Sequence, residues 1–335
     1  MLIQNFNTTK KIFLIAEIGN NHEGSLKLAK KLIYLAKKNG ANAVKFQYIK
    51  PKNLVNEKIY PERVNFLKKV CLKFNDFIRL KKYAQKLNII FLCSVFDYNE
   101  VNNFSKLLPA FKIASGENNF MPNILNLARF KKPILLSTGM LSNTEIDKLM
   151  KKLSKYENLL NKICLLHCVS NYPVSIKDAN LSKIQYLKKY KVQIGYSDHT
   201  LGINACLLAA SLGARVIEKH FTIDHNYSKF RDHQLSMNPE QLKLLSRSLK
   251  EINILIGKNE DKIPFAEKLN IKNNRRGIYA KYKLKKNQKI KKDDLLILRP
   301  EGKISVDKID KIIGSNAKKE IEELTEINFQ NTYRY

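Results

Sequence analysis

The chain has 335 residues, 44% of them hydrophobic, enough for one large core and a small second one. Lys and Arg number 61 against 30 Asp and Glu, a net charge of +31. The lysines are dispersed among Asn and Ile rather than gathered in a stripe, so they read as a solvated surface that attracts anions, not as a nucleic-acid site. No apolar run reaches the ~18 residues of a membrane span. Met1–Asn7 shows no basic stretch followed by an apolar one, so no secretion signal is expected. The five cysteines (71, 93, 164, 168 and 206) are odd in number and lack the spacing of a disulfide framework. Reduced thiols in a cytoplasmic protein are expected. Cys164 and Cys168 have no second pair with which to hold zinc.

In chain order, β-rich apolar segments fall at Phe13–Ile18, Ala43–Tyr48, Ile89–Val95, Phe111–Ser115, Ile134–Thr138, Ile163–Val169, Val192–Ser197 and Arg215–Phe221. Helical periodicity fills the gaps. Leu26, Ala29, Leu32, Ile33 and Ala36 share one face ahead of Gly40, and an Ala/Leu-rich stretch from Asn204 ends at Gly213. Apolar strands alternating with helices predict a parallel sheet covered on both faces, and eight such units predict a (β/α)8 TIM barrel over residues 1–256. A helix near Pro239–Leu255 should close it. Polar residues 257–274 read as a linker. Residues 275–335, with short strands at Gly277–Lys281 and Leu295–Arg299, read as a small, mostly β domain.

In such a barrel, chemistry gathers at the C-terminal strand ends. The polar residues of this sequence concentrate there: Glu17; Lys45 and Gln47; Ser94; Lys112 and Ser115; Ser137; His167 to Tyr172; Ser197 to His199; Glu218 to His220. A charge inside an apolar strand is costly unless paired or functional. Two lysines with several hydroxyls and the Ser115-Gly116 backbone suit a phosphate. His199 and His220, from neighbouring strand ends, suit a divalent metal with open positions. His167 reads equally as a core histidine bonded to backbone. No nucleotide-binding glycine loop and no serine-hydrolase elbow is present.

These motifs together resemble the sialic acid (N-acetylneuraminate) synthase family, with its legionaminic and pseudaminic acid relatives. The resemblance rests on Ala16 to Gly24, Lys45-Phe46-Gln47, Phe111 to Glu117, Leu136 to Met140, Leu166-His167-Cys168, Gly195 to Thr200 and Val216 to Phe221. Residues 276–335 resemble the family's antifreeze-like, or SAF, domain, with Leu298-Arg299-Pro300 as its clearest mark. The family implies condensation of phosphoenolpyruvate with an open-chain N-acylated amino-sugar aldehyde, giving a nonulosonic acid and phosphate. It implies Mn²⁺ or Mg²⁺ on His199 and His220. Lys45, Ser94, Lys112, Ser115, Ser137 and Ser197 would hold phosphoenolpyruvate, with Ser170 as a further ligand. Glu17, Gln47, Tyr172 and Asp232 would face the sugar or the reacting water. Arg299 would reach the sugar's acyl group from a second subunit of a homodimer with exchanged C-terminal domains.

Two features depart from the family pattern. Phe230 to Ser236 lacks the Gly-Pro-Asp form of many members, and 51–63 does not align. Both concern the sugar rather than the reaction. The alternatives within the reading are N-acetylmannosamine and a 2,4-diacetamido sugar, the latter making the chain an N,N'-diacetyllegionaminate synthase. Outside it stand a non-catalytic carbohydrate-binding protein and a nucleic-acid binder.

Overall fold

Eight parallel strands close on themselves in the order of the chain. The computed structural model describes residues 1–156, 158–257 and 260–334. It divides into two units, 1–257 and 258–335. The first begins with a hairpin, β1 (Leu2–Ile3) and β2 (Phe6–Asn7). The barrel strands follow: β3 (Phe13–Gly19), β4 (Ala43–Tyr48), β5 (Ile90–Val95), β6 (Phe111–Ile113), β7 (Ile134–Ser137), β8 (Ile163–Cys168), β9 (Gln193–Asp198) and β10 (Val216–His220). β10 pairs with β3 and completes the closure. The eight segments expected from the sequence are these strands, to within two residues at each end. The sixth strand stops at Ile113 because Ser115–Glu117 turns into a short 3-10 helix.

Strand side chains alternate between the lumen and the helical layer. Phe13, Ile15, Leu92, Leu135 and Leu166 fill the lower lumen with Ile3, and Met1 and Phe6 pack beneath them. The N-terminal hairpin thus stoppers the barrel. Two-residue strands carry no periodic signal, so this hairpin was not foreseen. On the outer face, amphipathic helices such as Leu26–Lys38 bury Leu28, Ala29, Leu32, Ile33 and Ala36 against the strands. The helix Pro239–Leu255 starts at a capping box formed by Asn238 and Gln241.

The second unit has its own core of Ile278, Ala280, Leu284, Ile290, Ile312, Ala317, Ile321 and Ile327. β11 (Gly277–Ala280) and β12 (Leu295–Leu298) pair antiparallel, as do β13 (Asn316–Ala317) and β14 (Thr332–Tyr333). The stretch 257–274, read as a linker, contains a helix, Phe265–Asn274. Its polar composition hid a pattern too weakly amphipathic to register as helical. Lys258 and Asn259 of that stretch, and Tyr335 of the small domain, lie outside the described residues.

Phe104 is fully buried, with Tyr48, Phe74 and Phe77 at ring-centroid distances of 4.7, 5.2 and 5.5 Å. Phe104→Ala empties the centre of that cluster and should destabilise the barrel by about 3–5 kcal/mol. The midpoint of urea unfolding, followed on the barrel's near-ultraviolet signal, measures it.

Candidate active site

Strand register assembles the site. Glu17 lies beside Lys45, Gln47 beside Ser94, Ser94 beside Lys112, and Ser197 beside Glu218. These residues form a charged ring in the upper lumen, above the apolar stopper. Lys112 Nζ donates to Glu218 Oε1 at 3.0 Å, and Ser197 Oγ donates to the same oxygen at 3.1 Å. Lys45 Nζ lies 2.8 Å from Glu17 Oε2, 3.6 Å from Glu218 Oε1 and 3.2 Å from Ser94 Oγ. Gln47 Nε2 donates to Glu17 Oε1 at 2.9 Å.

All four charged side chains are buried, and neighbours tune Glu17, Lys45 and Glu218. Burial works against the Glu218 charge, but Lys112 and Lys45 overcome it and hold the carboxyl down at about 2. Glu17 goes the other way. Burial pushes it up against the pull of Lys45, and the nearby Glu218 charge adds to the rise. Burial also opposes the Lys45 ammonium, which Glu17 and Glu218 more than restore. One carboxylate is therefore firmly ionised between two lysines, and the other is poised to exchange a proton.

Above the ring is a cavity of about 770 Å³. Every barrel residue expected at the site lines it, from Glu17 and Lys45 to Ser170, Tyr172 and Asp232. The buried hydroxyls of Ser115, Ser137 and Ser170 have no conventional hydrogen-bond partner among the described residues, although Ser115 faces the Cys168 thiol. Gly139 lets two of them converge: a methyl group there would sit 2.5 Å from Ser115 Oγ and 2.6 Å from Ser170 Oγ. Asn118 Nδ2 pins this turn by donating to the carbonyls of Ser137 and Gly139 at 3.2 and 2.8 Å. Arg299, in the second unit, is exposed just beyond β12.

His199 and His220 stand with ring centroids 5.5 Å apart, and Tyr172 lies 4.1 Å from the first ring and 5.9 Å from the second. His199 Nδ1 is 2.8 Å from the Val169 carbonyl. That contact places the proton on Nδ1 and leaves Nε2 a lone pair, the usual support for a metal-binding imidazole. Burial, helped by the nearby lysine charges, presses His220 well below the ordinary histidine range, so it is neutral; against burial, the Cys168 thiol and the Val169 carbonyl raise His199, so a cation there would take the place of its second proton. Both rings therefore fit a divalent cation. Among the described residues no group of three or more His, Cys, Asp or Glu is placed to hold one, so a cation on these two keeps positions open for oxygen ligands.

Sequence reasoning left several lining residues out of the site. Glu218 stands in the sequence with Glu17, Lys45 and Lys112 as a strand charge suited to a ligand site, but without a role of its own. Its placement two residues before His220, on the same side of β10, was the signal that joins them. Asn20, Arg63, Phe66, Lys229 and Phe230 also line the cavity. Arg63 and Phe66 come from the stretch after β4, too long for an ordinary βα connection and therefore a candidate for binding. Lys219 belongs elsewhere. It points out of the lumen and pairs with Asp198 at 2.6 Å. His167 is a core residue, its Nε2 2.8 Å from the Ala179 carbonyl.

A closed (β/α)8 barrel with ionised lysines, hydroxyls and two imidazoles at its C-terminal mouth defines a TIM-barrel enzyme that handles an anionic substrate. The chain belongs to the NeuB family, which its residues 32–261 match. It is 38% identical to the N,N'-diacetyllegionaminic acid synthase of Campylobacter jejuni, over 94% of this chain and 98% of that one. It is 39% identical to the enzyme of the same name from Legionella pneumophila, over 90% and 89%. The crystal structure of N-acetylneuraminic acid (sialic acid) synthetase from Leptospira borgpetersenii in complex with citrate superposes with a TM-score of 0.75, at 34% identity, over 81% of this chain and 94% of that one. Among the described residues no helix is long and apolar enough to cross a membrane.

One residue of the first βα loop makes stability depend on pH. His22 is fully buried, and its Nδ1 accepts from the Gly24 N–H at 3.1 Å. Burial drives its pKa down to about 4, against the Glu23 charge. Between that value and the ordinary ~6.5, the unfolded chain binds a proton the folded chain refuses, so stability falls as pH drops through this window. The loss should total roughly 3 kcal/mol by pH 4. His22→Asn, which keeps an acceptor near Nδ1, should flatten this part of the curve. Denaturation midpoints from pH 7 to 4 test it, and equal slopes in both proteins would refute it.

Proposed function

We propose that this enzyme condenses phosphoenolpyruvate with an open-chain N-acylated amino-sugar aldehyde to give a nonulosonic acid and phosphate. The observation that carries this reading is that the pair of buried lysines, Lys45 and Lys112, line one cavity with the hydroxyls of Ser115, Ser137 and Ser170. Ammonium groups and hydroxyl donors together neutralise and orient a dianion in a site shielded from water. Ser94 and Ser197, already bonded to Lys45 and Glu218, hold those side chains in position.

In the reaction, C3 of phosphoenolpyruvate forms a bond to the aldehyde carbon, and the aldehyde oxygen gains a proton. Water then adds at C2, its proton leaves, and the C2–O bond to phosphate breaks. Glu17, with its raised pKa and its contact with Gln47, is suited to move the proton of that water. Gln47, Tyr172 and Asp232 face the sugar. His199 and His220 would hold a divalent cation, Mn²⁺ or Mg²⁺, which when bound polarises the aldehyde.

N-acetylmannosamine is the simplest acceptor. A 2,4-diacetamido sugar is favoured by the likeness to two N,N'-diacetyllegionaminic acid synthases. The cavity's apolar lining residues, Leu54, Phe66, Phe96, Met140 and Phe230, suit additional methyl-bearing groups. We also read 275–335 as an antifreeze-like domain that serves a neighbouring copy. Large apolar side chains ring the barrel mouth in exposed positions, among them Ile59, Tyr98, Phe120, Met140, Ile176 and Leu201. Large apolar side chains exposed on six successive βα connections suit a cover. In a homodimer with exchanged small domains, Arg299 would donate to the acyl carbonyl.

A phosphate-release assay with phosphoenolpyruvate and a panel of N-acetylmannosamine and 2,4-diacetamido sugars tests the reading, and no release with any sugar would overturn it. Lys112→Ala should raise the KM for phosphoenolpyruvate by a factor equivalent to roughly 2–3 kcal/mol, with a much smaller effect on the sugar. An unchanged KM would make Lys112 a structural partner of Glu218.

The exchanged dimer makes a separate demand. Arg299→Ala and His199→Ala should each be inactive alone. Mixed under conditions that exchange subunits, they should regain part of the activity, because one barrel then has its histidine and receives an intact arginine. Proven exchange without recovery would show that Arg299 does not act across subunits.

A further inference from the structure

The connection from β10 to the helix Pro239–Leu255 spans residues 221–238, far longer than the two to six residues usual for a βα loop. Its regular structure is one short helix, Arg231–Leu235. Yet it delivers Lys229, Phe230 and Asp232 to the cavity wall. Ordering such a segment costs conformational entropy residue by residue, so something specific must fasten it.

The fastening comes from the first βα loop, which is its neighbour because β10 pairs with β3. A single atom, Glu23 Oε1, accepts from Ser228 Oγ at 2.6 Å and from His233 Nε2 at 2.8 Å. His233 is fully buried, and its Nδ1 lies 2.5 Å from Thr222 Oγ1 at the base of the same connection. Its ring also packs beside Tyr227 and Phe230, at 5.3 and 5.8 Å. Two residues before Glu23, Asn21 Nδ2 donates to the Phe221 carbonyl and to Ser236 Oγ, and that hydroxyl donates to the Asp232 carbonyl. The first loop is itself fixed. Gly24 has φ +76°, and a methyl group there would meet the Lys69 carbonyl at 2.6 Å. The far side of the eighth connection rests on Phe66, whose ring stacks on Phe230 at 5.8 Å and 15°.

We propose that Glu23 and His233 are positioning residues: they latch the eighth βα connection to the first, and so present Phe230 and Asp232 to the sugar. Neither lines the cavity, so both act through the loop they hold. A carboxylate accepting two donors at one oxygen makes charge-assisted bonds, stronger than neutral ones. This assigns the Asn21-His22-Glu23-Gly24 stretch to loop anchoring rather than to substrate contact. The kinetic consequence rests on the synthase reading; the latch does not.

The test compares full-length wild type with Glu23→Ala, His233→Ala and Glu23→Gln. Amide hydrogen exchange needs no substrate. In Glu23→Ala and His233→Ala, amides of 227–236 should exchange roughly ten-fold faster or more, with those of the barrel strands unchanged. With an accepted sugar, kcat/KM for that sugar should fall about 10- to 100-fold, while the KM for phosphoenolpyruvate stays within about two-fold. Glu23→Gln should recover most of the loss, because its amide oxygen still accepts from both partners. Unchanged exchange at 227–236, equal losses for the two substrates, or a Gln variant as damaged as the Ala variant would overturn the proposal. If wild type releases no phosphate with any sugar, the synthase reading fails, and the exchange comparison alone then decides whether Glu23 holds the loop.

Discussion

Glu218 sits between two lysines in the lumen of a barrel, where one unpaired charge would be prohibitively costly. Its carboxylate accepts from Lys112 and Ser197 and lies 3.6 Å from Lys45. The remaining organisation of the upper barrel follows from keeping those lysines charged without water. Lys45 shares a second carboxyl, Glu17, whose raised pKa means that this partner need not carry a full charge. The hydroxyls of Ser115, Ser137 and Ser170 line the same cavity, and those of Ser137 and Ser170 have no partner among the described residues. Below this ring the lumen is wholly apolar and stoppered by Ile3, so the charges face one opening.

Strand alternation repeats the solution on the other side of the wall. Asp198 and Lys219 follow Ser197 and Glu218 by one residue and so point into the helical layer, where they pair at 2.6 Å. Tyr196, Thr200 and Cys206 also donate to Asp198. Burial resists the Asp198 charge, but Lys219 and these donors hold its pKa below the usual carboxylate value. The next residue along each strand is His199 or His220. A buried ion pair behind the wall thereby ties together the two strand ends that carry the imidazoles.

The loops are coupled in a similar way. The first, second and eighth βα connections meet through Gly24 against Lys69, Phe66 against Phe230, and Glu23 against His233. The buried lysines and the hydroxyls of the cavity stand on strand ends and the short turns after them, while Arg63, Phe66, Lys229, Phe230 and Asp232 reach its wall from the second and eighth connections. A barrel divided this way can keep one anionic substrate and change its second by altering loops alone.

The sequence by itself determined the eight strands, the barrel, the polar strand ends and a set of side chains that gather at one cavity. Strand period and strand ends are local properties: alternation says which residues share a face, and parallel pairing brings all C-terminal ends to one rim. Lys45, Lys112, His199 and His220 were legible because a charge or an imidazole in an apolar strand stands out against its neighbours. Only the tertiary structure decided what each polar group does with its partners. It showed that Glu218 accepts from both Lys112 and Ser197, that Lys219 faces away from the site, and that Lys45 donates to Ser94. It also brought Glu23, 210 residues before His233, into hydrogen-bond contact with the loop carrying Asp232. Those outcomes depend on distances across the closed barrel, between residues far apart in the chain, and a pattern read along one strand carries no information about them.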